Sequence, residues 1–189
     1  MIIVCSLSDL NNICDSIKPS HVLSVIDPGF EPQTPVGVEN HLKLGFDDII
    51  EINNDQHAHL FPGNSLLRKQ VLPSENHINS IINFAKSWDP IKPIVIHCWC
   101  GVSRSMAAAT YIMCSVDNSD IDRNIKYIRS VAPHANPNKL MISIFENFLR
   151  VDNKISSAYK KYPYTITYDC ESNFAPVTIF NINDMKKFQ

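Results

Sequence analysis

The chain has 189 residues, of which 44% are hydrophobic and 19% charged, and its formal net charge is −2. These values suit one soluble layered domain with a sizeable core, and they exclude a disordered or fibrous chain. The charge balance offers no broad basic surface for nucleic acid or an anionic membrane, and no apolar run approaches the ~20 residues of a spanning helix.

"IIVC" at 2–5 reads as a short buried strand. Ser6 or Ser8 is expected to cap a helix that ends near Ile17, before Pro19. "HVLSVID" at 21–27 is a second strand closed by an Asp-Pro-Gly turn, and "HLKLGF" at 41–46 a third. A long polar stretch follows, from Asp47 to about Pro73. Ser74 then opens a helix whose Ile78, Ile81, Ile82 and Ala85 form one apolar stripe.

"PIVIH" at 93–97 is a continuous apolar run, as a central strand covered on both faces requires. A helix of small residues is expected from about Arg104 to Cys114. Another begins near Ser119, Asp120 and Asp122, with Arg129 on its surface. Asn136 and Pro137 read as the N-cap and first residue of the last helix of this series. Beyond Asn153, "YTITYD" and "VTIFNI" look like strands. The pattern predicts an α/β fold with a central, mostly parallel sheet flanked by helices. Residues 1–153 form its main domain, and 154–189 an extension of undefined role.

Six cysteines occur: Cys5, Cys14, Cys98, Cys100, Cys114 and Cys170. The amino terminus lacks the basic start and apolar run of a secretion signal, so reduced thiols in a cytoplasmic protein are expected. Cys98 and Cys100 have no second ligand pair, so no structural metal is expected. His57, His59 and His77 read as solvated side chains.

The stretch "VIHCWCGVSRS" at 95–105 places strand, tight loop and helix start in succession. Backbone N–H groups and a helix N-terminus then converge on one point, which favours an anion. The same field favours a thiolate at Cys98. Gly101 permits the sharp turn. Arg104 can grip two oxygens of a phosphate in a planar fork. These parts make a nucleophile beside a phosphate cradle.

His97-Cys98-x5-Arg104-Ser105, with Gly101 in register, resembles the signature of the cysteine-based protein tyrosine phosphatases. Its spacing and the short chain look like the dual-specificity type, and "LGFDDI" and "PHANPNKLM" look like a bacterial branch. The resemblance implies that Cys98 is the nucleophile, forming a phosphocysteine intermediate. It implies that Arg104 and the amides of Trp99, Cys100, Gly101, Val102, Ser103 and Arg104 bind the phosphoryl oxygens. Ser105 would hydrogen-bond the sulfur, and His97 would hold the loop through backbone contacts. The general acid falls on Asp48, 50 residues before Cys98, with Asp47 and Asp55 as rivals. The chemistry needs no cofactor and no metal.

The five residues between Cys98 and Arg104 carry no charge, which favours a single phosphate on an aromatic or alkyl group. The expected partner is a phosphorylated protein or a small phosphomonoester, not nucleic acid or a membrane. Two alternatives are a non-catalytic phosphate-binding module and a rhodanese-type sulfurtransferase. The intact Cys98, Arg104 and Ser105 weigh against the first, and the register with Asp48 against the second. Cys100 is expected to point away from the cradle.

Overall fold

The computed structural model describes residues 1–52, 69–168 and 175–189. At its centre lie β1 (Ile2–Cys5), β2 (His21–Ile26), β3 (Asn40–Gly45) and β4 (Ile94–His97), parallel to one another, with β5 (Thr178–Phe180) antiparallel to β1. The order across the sheet is β3-β2-β4-β1-β5.

Every residue of β1, β2 and β4 is buried. Alternation along a strand sends neighbours to opposite faces. Ile2, Val4, Leu23, Val25, Ile94 and Ile96 thus join the larger core, while Ile3, Cys5, Val22 and Val95 join a smaller one. Each such side chain contributes about 1.5–3 kcal/mol by leaving water.

Helix α1 (Leu10–Ile17) covers the smaller core with Leu10 and Cys14. It starts after Asp9, and Ser6 holds the turn that leads into it, its Oγ accepting from Asp9 N at 3.3 Å and donating to Asp9 Oδ2 at 2.7 Å. On the other face lie α2 (Glu75–Ser87) and α3 (Arg104–Val116), with α4 (Ile121–Val131) and α5 (Lys139–Leu149) against α3. Ser74 caps α2 as expected, and His77 completes a reciprocal capping box while stacking on Phe46 at 4.9 Å. His77 is therefore a half-buried structural residue, not a solvated one. His57 and His59 lie outside the described residues.

Two expectations near the carboxyl end need correction. The cap of α5 is Asn138, whose Oδ1 accepts from Met141 N at 3.0 Å, so the helix begins two residues later than Asn136-Pro137 suggests. Residues 164–168 form no strand; Thr165 N donates instead to Pro133 O at 2.9 Å. Past residue 153, α6 (Lys154–Lys161) packs on α4 and α5, β5 extends the sheet, and α7 (Ile182–Lys187) packs on α4. No helix among the described residues is long and apolar enough to cross a membrane.

Candidate active site

The site forms where β4 ends and α3 begins, at the carboxyl edge of the parallel strands, where open α/β sheets bind ligands. Cys98 is buried at the bottom of the loop, only 3% exposed. Its Sγ lies 3.1 Å from Ser105 Oγ and accepts from Gly101 N at 3.3 Å. Gly101 has φ +74°, and an added Cβ would stand 3.0 Å from the carbonyl carbon of Cys5. Glycine is required there on both counts.

The loop is braced from outside. Leu7 N donates to Trp99 O at 3.1 Å, and Asn136 N to Val102 O at 3.0 Å. Ser103 stands at the N-cap of α3 but makes no capping bond with its side chain. Its hydroxyl donates instead to Asp48 Oδ1 at 2.7 Å. The first N–H groups of a 13-residue helix are thus left without a side-chain cap, and such an end attracts anions.

Arg104 is buried and held on one side. Its Nη1 donates to Asp27 Oδ1 at 2.6 Å and to Phe46 O at 2.5 Å. Its Nε is buried, has no hydrogen-bond partner among the described residues, and lies 3.9 Å from Asp48 Oδ2. A guanidinium has five N–H donors, so anchoring Nη1 orients the fork and leaves donors for a phosphate.

Asp48 is brought to this point by the turn after β3. Its Oδ1 accepts from Ser103 Oγ and, at 2.8 Å, from Asn138 Nδ2. Its rival Asp47 is buried and turned elsewhere, accepting from Val71 N at 2.7 Å. Asp55 lies outside the described residues. Beside Asp48 a recess of about 360 Å³ opens between Ile49, Glu51, Ser103, Asn138 and Lys139.

His97 is fully buried between Ser24 Oγ, 2.5 Å from Nε2, and its neighbour's carbonyl, Cys98 O, 3.3 Å from Nδ1. Burial, with Arg104 nearby, pushes its pKa down to about 4. Trp99 is half-buried and meets Phe30 edge-on at 5.3 Å. Cys100 is half-buried on the loop and disulfide-bonded, which corrects the expectation of six reduced thiols. Cys98 is free, so the bridge does not join the two sulfurs of the loop. Cys170 lies outside the described residues. Arg129 is half-buried and tied down: its Nε donates to Tyr162 O at 3.0 Å and its Nη1 to Ala135 O at 2.8 Å. It pins the segment that supports Val102.

Asp27, Asn138 and Ser24 escaped the sequence reading as site residues. Asp27 carried a usable signal, since it follows directly on a buried parallel strand. Asn138 and Ser24 carried none beyond their polarity.

No family model matches the chain. A protein of Acanthamoeba polyphaga mimivirus, whose name places it among the tyrosine-protein phosphatases, is 34% identical over 76 residues, 36% of each chain. The match thus spans about a third of that relative. Among solved structures, DUSP15 aligns over 87% of this chain and 94% of its own, with TM-score 0.55 and 17% identity. PTPMT1 in complex with PI(5)P aligns over 83% and 93%, with TM-score 0.56 and 14% identity. The Yvh1 phosphatase domain from Chaetomium thermophilum aligns over 82% and 93%, with TM-score 0.53 and 19% identity. The chain has the fold of the dual-specificity members of the cysteine-based protein tyrosine phosphatases.

Proposed function

We propose that the protein hydrolyses phosphomonoesters in two steps through a phosphocysteine at Cys98. One observation carries this reading: Cys98 Sγ sits at the head of a helix uncapped by Ser103, against Ser105 Oγ, beside Arg104, whose Nε has no hydrogen-bond partner among the described residues. In the first step the thiolate attacks phosphorus and the ester oxygen departs with a proton from Asp48. In the second, the Asp48 carboxylate takes a proton from water as the water attacks, and sulfur leaves while Ser105 Oγ donates to it. Arg104 and the loop amides hold the three equatorial oxygens, whose charge is greatest in the transition state.

The substrate is a single phosphate on an aromatic or alkyl carrier, phosphotyrosine being the first choice. The uncharged segment from Trp99 to Ser103 supports this, and the recess beside Asp48 takes the part of the substrate beyond the phosphate. PTPMT1, crystallised with PI(5)P, has the same fold, so a singly phosphorylated inositol headgroup is the comparison substrate.

Steady-state hydrolysis of a series of aryl and alkyl phosphates tests the reading. Wild-type protein is expected to turn all of them over. Asp48→Asn is expected to slow phenyl phosphate by roughly 10²–10⁴-fold and strongly activated aryl phosphates much less. The alkaline limb of the pH–rate profile flattens with it. Equal slowing of every leaving group would remove Asp48 from the acid role, and no turnover by wild type would remove the hydrolase reading.

A further inference from the structure

A row of hydrogen bonds runs from the phosphate loop across three strands to the surface. Cys98 O lies 3.3 Å from His97 Nδ1, and His97 Nε2 lies 2.5 Å from Ser24 Oγ. Ser24 Oγ is also 2.7 Å from His41 Nε2, and His41 Nδ1 is 3.1 Å from Thr34 Oγ1. His97 belongs to β4, Ser24 to β2 and His41 to β3, and Ser24 pairs with His97 in the sheet register. Burial pushes both imidazoles down to about 4, with Lys43 adding to the effect at His41 and Arg104 at His97. Both rings are therefore neutral near pH 7.

The direction of every bond in the row follows. A carbonyl only accepts, so Nδ1 of His97 carries the proton. A neutral imidazole has one N–H, so Nε2 of His97 accepts and Ser24 donates to it. A hydroxyl has one hydrogen, so Ser24 accepts from His41, whose Nε2 carries the proton. His41 Nδ1 then accepts, and Thr34 donates.

We propose that His41 and Ser24 are positioning residues of the phosphate loop. They fix His97 in the tautomer that holds the Cys98 peptide in place. This rests on the hydrolase reading above. Without the His41 donor, the Ser24 hydroxyl is no longer committed toward His97. The other tautomer of His97 then donates to Ser24, and the tie to Cys98 O is lost. The row acts on the nucleophile and not on the leaving group, so its loss slows all esters alike.

The test uses the full chain labelled with nitrogen-15 at histidine, together with kcat on activated and unactivated aryl phosphates. His41→Leu removes the donor, and His41→Gln keeps an N–H for Ser24. His41 is half-buried at the sheet edge, so both variants are expected to fold, which far-UV circular dichroism verifies. Wild type is expected to show His97 protonated at Nδ1. His41→Leu is expected to show a mixture of tautomers and a kcat lower by about five- to tenfold for all esters, the weight of one hydrogen bond. His41→Gln is expected to restore both.

A wild-type His97 protonated at Nε2 would overturn the proposal. So would a His41→Leu protein with wild-type kcat, whatever its spectrum. If wild type hydrolyses nothing, the hydrolase reading falls, while the nitrogen spectra of wild type and His41→Leu still decide whether the row sets the tautomer.

Discussion

Cys98→Ser is expected to abolish turnover, on the order of 10⁴-fold or more, while inorganic phosphate binds within a few-fold of wild type. The substitution replaces one atom at a buried position, where Sγ meets Ser105 Oγ and Gly101 N, and the hydroxyl is expected to keep those partners. The cradle therefore survives, with Arg104 and the helix end in place to hold the anion. What is lost is nucleophilicity, because a serine hydroxyl stays protonated near neutral pH and, among the described residues, no imidazole is placed to take its proton. His97 is turned toward Ser24 and the Cys98 carbonyl. Phosphate-dependent thermal stabilisation checks the binding half of the result. Residual activity near wild type would end the nucleophile assignment.

The second large effect is expected at Arg104. Arg104→Lys should lower kcat by roughly 10²–10³-fold, the usual weight of a lost transition-state donor, and weaken phosphate binding with it. The guanidinium works in two directions, satisfying Asp27 and Phe46 O through Nη1 and leaving Nε and its other donors for the substrate. An ammonium is a single point of charge and cannot span both. If it stays with Asp27 it abandons the phosphate, and if it turns to the phosphate a buried carboxylate is left uncompensated, at about 3–5 kcal/mol. Denaturant unfolding separates these cases. Lost activity with unchanged stability means that lysine stays on Asp27, and lost stability means that it leaves. Activity near wild type would show that Arg104 does not touch the phosphate.

The parts of the site that are local in sequence were legible. The run 93–97 has no polar residue before its terminal histidine, so only a doubly covered strand fits it, and Cys98, Gly101, Arg104 and Ser105 follow within one turn of loop and helix. Asp48 was reached by resemblance, and its carboxylate does lie against Ser103. The supporting residues were hidden because elements distant in sequence, β2 with its carboxyl end and the cap of α5, bring them in. Asp27 is 77 residues from Arg104, Ser24 is 73 from His97, and Asn138 is 90 from Asp48.

Alternation misled at 164–168. Thr165 and Ile166 fit a strand pattern, but a strand needs a neighbour, and this backbone spends a bond on Pro133. Ile179 lies in a run of the same character, yet it finds Ile3 across the antiparallel edge of the sheet. The cap of α5 was misplaced for a subtler reason. Asn136 and Asn138 both suit a cap, and only the packing of Asn138 against Asp48 selects the second.

The most direct test of the central claim is a rapid denaturing quench during turnover of an activated aryl phosphate, followed by peptide mass spectrometry. A phosphoryl group is expected on the peptide carrying Cys98, appearing with a burst of released phenol and absent in Cys98→Ser. Steady turnover with no phosphoryl group on that peptide, or with one on another residue, would contradict it.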